Sequence, residues 1–124
     1  MTKITGAQLA NELNPGVREV LEERYGDLLP NMANTVIDMA YGQFYARPGL
    51  DLKSRYIATI AALSAMGHQT APQLRINIEA GLKVGLSERE IAEVIWQMAL
   101  YGGLPAAINA LNTLRTICDE RRKS

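Results

Sequence analysis

The chain has 124 residues, 48% apolar and 21% charged, with thirteen acidic side chains against thirteen lysines and arginines. That length suits one domain with a real core and is short for two. Balanced charge offers no basic stripe for nucleic acid and no polybasic membrane anchor, and no run nears the ~18 apolar residues of a membrane span.

At the N-terminus, MTKITGAQLANEL lacks a signal-peptide core, so the cytoplasm is the expected compartment. Cys118 is the sole cysteine, which leaves no internal disulfide and no two-cysteine redox couple. Asn14-Pro15 reads as an N-cap followed by proline at the first helical position. The helix after it, roughly Pro15 to Arg24, is charged around a thin apolar stripe of Val17, Val20 and Leu21. Pro30 starts a second helix through Met32, Val36, Met39, Ala40 and Phe44, and Arg47-Pro48-Gly49 breaks the chain. Asp51 caps a helix from Leu52 to Met66, with Gly67 as its stop.

Within that helix, residues 57–66 are apolar nearly all round, which places them at the centre of the domain or at an interface. Thr70 caps the next helix, which ends near Gly85. Ser87-Glu88-Arg89-Glu90 is a capping box for a helix continuing to Tyr101. Gly102-Gly103-Leu104-Pro105 turns into a final alanine-rich helix ending in DERRKS. No stretch alternates with period two for long enough to make a strand. The expectation is all-α: a single domain over 1–124, a bundle of six or seven helices.

On the 70–85 helix, Arg75, Glu79 and Lys83 form a wet face, and Leu74, Ile78, Gly81 and Leu82 form a dry one that Ala80 and Val84 extend. Gln73 and Asn77 fall inside the dry arc. Gln73 has a bland explanation, because Thr70-x-x-Gln73 is itself a capping box. Asn77 is a poor helix former in a helix interior, so it serves as a structural amide across an interface or lines a cavity. His68 is the only histidine, a surface or capping residue on one reading and a proton donor on the other. No second histidine, cysteine or carboxylate cluster has metal-ligand spacing, so no metal is expected. Residues 41–56 gather Tyr41, Tyr45, Arg47, Arg55 and Tyr56 among apolar neighbours. Arginine matches a carboxylate with a fork of donors, and tyrosine donates at the rim of an apolar pocket. Their bland role is at helix ends and interfaces, with Arg55 pairing Asp51 at i,i+4. Glu93, Gln97 and Tyr101 make a half-wet line beside Trp96 and Met98.

FYARPGLDLKSRYIATIAAL (44–63) and LRINIEAGLKVGLSEREIAEVIWQMALYGGLPAAINALN (74–112) resemble the two ordered motifs of the carboxymuconolactone decarboxylase family. The resemblance runs from about residue 17 to 118. It implies an alkylhydroperoxidase D-like all-α subunit that assembles into homotrimers or homohexamers. One branch of that family reduces disulfides through C-x-x-C-x-x-x-H and an upstream glutamate. The other decarboxylates γ-carboxymuconolactone to an enol-lactone without metal or organic cofactor, in aromatic degradation.

Asn77 stands at the family's histidine position, and Gln73 and Thr70 stand where the redox branch keeps its cysteines. Thiol peroxidase chemistry is thereby excluded. Decarboxylation needs the departing carboxylate held, the developing oxyanion stabilised and a proton delivered to carbon. By resemblance Arg47 or Arg55 holds a small-molecule carboxylate, with Tyr41 at the same site, and Gln73 and Asn77 donate to the oxyanion. The proton source is then His68 or a tyrosine: Tyr41, Tyr45 or Tyr101. A rival expectation is a non-catalytic member that keeps the fold as a small-ligand-binding or assembly protein.

Overall fold

A computed structural model describes residues 4–123. Every regular element among them is helical and none is a strand, as the sequence pattern predicts. The backbone groups into two compact units, one up to Asp51 and one from Leu52 onward.

The first unit begins with α1, Gly6–Leu13, a helix that the hydrophobic pattern does not announce. Its signal is Thr5-x-x-Gln8. The Thr5 hydroxyl accepts from the Gln8 amide at 3.1 Å, and the Gln8 side chain accepts from the Thr5 amide at 2.8 Å. Asn14 is not the N-cap expected of it. Its amide donates back to Ala10 at 2.8 Å and closes α1, so the next helix starts only after Gly16, at φ +82°. That helix, α2 (Val17–Tyr25), buries none of its residues, as its charged composition implies.

α3 begins at Met32, two residues past Pro30, and ends at Val36, where the chain continues as a π-helical stretch, Ile37–Tyr45. Its widened ladder shows in the Ala46 amide, which donates five residues back to Tyr41 at 3.1 Å. Gly6 and Gly42 let α1 and the π stretch meet backbone to backbone. A Cβ on Gly6 would stand 2.9 Å from the Gly42 Cα. Leu9, Ala10, Leu13, Ala33 and Ile37 are the buried apolar residues of this unit.

In the second unit α4, Leu52–Met66, buries Tyr56, Ile60 and Ser64, one stripe at i, i+4 and i+8. Residues 57–66 are not covered all round within this chain: α4 packs against the later helices of this unit, while Ile57, Ala58, Ala62 and Met66 are exposed. Gly67 at φ +101° ends it, as expected. A 3₁₀ turn, His68–Thr70, leads to α5, Ala71–Lys83. Thr70 does not cap α5. Its hydroxyl turns back and donates to the carbonyls of Leu63 at 2.6 Å and Gly67 at 2.9 Å, so the proposed box with Gln73 is absent.

α5 closes in a Schellman motif, with the Leu86 amide on Gly81 at 3.0 Å and the Gly85 amide on Leu82 at 3.1 Å. The predicted capping box opens α6, Glu88–Gln97. The helix does not run unbroken to Tyr101: it breaks at Met98, and Ala99–Gly102 form a single further turn, α7. Gly103 at φ +98° then admits α8, Leu104–Lys123. α8 packs against α4, α5 and α6. Leu74, Ile78, Ile91, Ile95, Ala107, Ala110, Leu114 and Ile117 are buried there. No described helix is long and apolar enough to cross a membrane.

Candidate functional site

The amides on α5 do not lie where the sequence pattern puts them. Gln73 is exposed and Asn77 half-buried, while Leu74, Ile78, Ala80 and Gly81 of the same helix are buried. At ~100° per residue, positions 77 and 73 fall about 40° and 80° past Gly81, between it and Ala80, so the helical repeat alone does not account for their exposure. The Asn77 amide donates to the Gln73 carbonyl at 2.8 Å, one turn back on the same helix. That bond takes one of two N–H donors and leaves the side-chain oxygen open. The Asn77 amide thus bonds its own helix. On the wet face, Arg75 pairs with Glu79 at 3.5 Å, as the i,i+4 spacing predicts, and also with Glu120 of α8.

His68 is exposed in the turn that precedes α5, and the two Thr70 hydrogen bonds hold that turn against the end of α4. It borders a small cavity with Ser64, Asn109 and Thr113. The Ser64 hydroxyl is buried there without a hydrogen-bond partner. Nothing in the hydrophobic pattern marks Ser64, a small residue in an apolar run.

Tyr101 on α7 is 76% exposed and sits among other exposed large side chains of the same segment, Trp96, Leu100, Leu104 and Ile108. Glu93 bonds Arg89 at 2.9 Å and Gln97 is exposed, so the line leading to Tyr101 is solvated. Arg55 is half-buried near the start of α4, and Tyr56 beside it is fully buried.

Tyr41, Tyr45 and Arg47 belong to the first unit, at the C-terminal end of the π stretch. The Tyr41 and Tyr45 rings lie 6.1 Å apart, tilted at 46°. Burial pushes the Tyr41 phenol above its ordinary range, against the pull of a hydrogen bond with Asn14. That partner is invisible in sequence, since it depends on how α1 ends. Arg47 follows the π stretch and is exposed. The structure joins Gln73 to Asn77 and Tyr41 to Tyr45. Among the described residues no group of three or more histidine, cysteine or carboxylate side chains could hold a metal ion.

The second unit thus carries the Arg55 guanidinium, the His68 imidazole, the Gln73 and Asn77 amides and the Tyr101 phenol, and the first carries the Tyr41 and Tyr45 phenols and the Arg47 guanidinium. The chain is 34% identical over 116 residues to an uncharacterised 15.0 kDa protein of the nqo9–nqo10 intergenic region in Paracoccus denitrificans, covering 94% of this chain and 87% of that one. It is 33% identical over 90 residues to 4-carboxymuconolactone decarboxylase of Acinetobacter baylyi, covering 73% and 66% of the two chains. It is 32% identical over 85 residues to nitrosuccinic acid decarboxylase of Metarhizium robertsii, covering 68% and 58%. The chain thus spans less than two thirds of the length of either named decarboxylase. The family model described as carboxymuconolactone decarboxylase matches residues 30–116, and the chain belongs to that family.

Proposed function

We propose that this protein decarboxylates a small carboxylic acid without metal or organic cofactor. The observation that carries the reading is its similarity to two decarboxylases whose named substrates each join a carboxylate to an electron-withdrawing group, a lactone or a nitro group. In such acids the C–C bond breaks heterolytically and carbon dioxide leaves. The electron pair passes to the lactone or nitro oxygens, and a proton is then added at carbon.

Each demand has a candidate side chain. In the second unit Arg55 holds the carboxylate; in the first, Arg47 and Tyr41 are the donors of the same kind. Gln73 and Asn77 supply neutral N–H donors to the developing oxyanion, a role in which preorganisation matters more than charge. An amide does not transfer protons as an imidazole does, so the proton comes from His68, Tyr45 or Tyr101. Assembly into a homotrimer or homohexamer in the cytoplasm belongs to the same reading, supported by the exposed Trp96, Leu100, Tyr101, Leu104 and Ile108.

A second reading, a non-catalytic ligand-binding member, draws on Asn77, which is tied to its own helix where the family keeps a histidine. Carbon dioxide release from 4-carboxymuconolactone and from nitrosuccinate separates the two. Turnover of either substrate is expected, falling about 10²–10⁴-fold in the variant that loses the proton donor, tested as His68→Asn, Tyr45→Phe and Tyr101→Phe. Binding of both acids with no release from either would defeat the decarboxylase reading in favour of the second.

A further inference from the structure

Beside the packed seam of α6 and α8 lies an open cleft of about 440 Å³, within the usual range of small-molecule sites. None of His68, Gln73, Asn77 or Tyr101 lines it, so a ligand in this cleft is independent of the decarboxylase chemistry. Its floor is Ala92, Leu111, Leu114 and the Cys118 thiol, and its rim carries Arg89, Arg115, Arg122 and Asn112. On α8, positions 111, 115, 118 and 122 recur at helical spacing, so one face of a single helix supplies both floor and rim.

The lining is rich in donors and poor in free acceptors. Glu88 is the carboxylate among the lining residues, and it is already engaged. Arg121 donates to one of its oxygens at 2.8 Å and Arg122 to the other at 3.2 Å. The Cys118 S–H, which also bonds Glu88, is the largest of the influences holding that carboxyl below its ordinary range. Arg89 and Arg115 are each committed to one neighbour on their own helix, Glu93 at 2.9 Å and Asp119 at 3.5 Å. These are exposed i,i+4 pairs, which contribute little and exchange readily, and each guanidinium fork has five N–H donors. A bare anion would satisfy the rim and leave the apolar floor wet.

We infer that the α6–α8 cleft binds a small carboxylate with an apolar body. The carboxylate sits at the Arg89 and Arg115 rim, and the body lies over Ala92, Leu111 and Leu114.

The probes are benzoate, benzyl alcohol (the same body without charge) and inorganic phosphate (charge without the body). Backbone amide and arginine Nε–H resonances report binding in wild type, Arg89→Gln and Arg115→Gln. These two side chains are 84% and 70% exposed, so the variants keep the fold, which their unshifted remaining resonances verify. Benzoate is expected to shift the amides of residues 88–92 and 111–118 saturably. Each substitution should weaken it about fivefold, the scale of one solvent-exposed charge-assisted hydrogen bond. Benzyl alcohol and phosphate should each bind more weakly than benzoate. The inference is overturned if benzoate leaves α6 and α8 unshifted or if either Gln variant binds it as wild type does. It is equally overturned if benzyl alcohol or phosphate matches benzoate.

Discussion

Replacing Gly102 by alanine tests the placement of α7, the turn that carries Tyr101. A Cβ at Gly102 would stand 2.5 Å from the Ala65 carbonyl oxygen, 2.7 Å from its Cα and 3.0 Å from its carbonyl carbon. All three atoms are backbone of α4, so no side chain can rotate away. Reaching the 3.4 Å of ordinary contact requires α7 to retreat by about 1 Å. That retreat is resisted at both ends. The Gly102 amide bonds Met98 at 2.8 Å, and Gly103 at φ +98° holds the entry to α8. Overpacking of this kind costs about 1–3 kcal/mol. Alanine's helical advantage over glycine returns about 0.5–1 kcal/mol, so the mid-range net loss is about 1 kcal/mol and the largest about 2.5 kcal/mol. For a chain of this size the mid-range loss lowers Tm by about 3–6 °C. Circular-dichroism melts of Gly102→Ala beside Gly49→Ala supply the comparison. Gly49, at φ +101° with nothing within 4 Å of its Cβ position, carries only backbone strain. A Gly102→Ala protein that melts at or above the wild-type temperature would refute the contact between α7 and α4.

Two further outcomes rest on local geometry. Ser87→Ala removes the hydroxyl that accepts from the Glu90 amide at 3.0 Å, and should cost about 1 kcal/mol in urea unfolding with an unchanged m-value. At alkaline pH, burial raises the Cys118 thiol, reinforced by its bond to Glu88, and burial also raises the Tyr41 phenol. A pKa raised on folding contributes stability that is present below the ordinary thiol and phenol ranges and is lost as pH climbs through and above them. Urea midpoints should therefore fall from about pH 8 upward. The fall should be shallower in Cys118→Ala and in Tyr41→Phe, and profiles parallel to wild type in both would contradict the assignment.

What was legible in the sequence was local chemistry. The Ser87 capping box, the Gly67, Gly85 and Gly103 breaks and the Arg75–Glu79 pair depend on residues at most a few positions apart, and the structure has them as read. The all-α class follows from the same local signals, and the family motifs were readable in order. The errors share one cause: each side chain had two local options, and a neighbour in space chose between them. Thr70 could cap α5 or reach back, and the carbonyls of Leu63 and Gly67 at the end of α4 drew its hydroxyl away. Asn14 could open α2 or close α1, and the existence of α1 decided it. Gln73 and Asn77 looked buried because hydropathy marks the direction of a helix face but not its width. Which positions of that face are covered depends on how α4 and α8 pack against α5, and Leu74, Ile78, Ala80 and Gly81 are the ones buried. Burial, the hydroxyl of Ser64 left unpaired, and the arginine-rimmed cleft beside Cys118 are properties of surfaces brought together from distant positions. Sequence periodicity describes one helix at a time, and so only the tertiary structure could decide them.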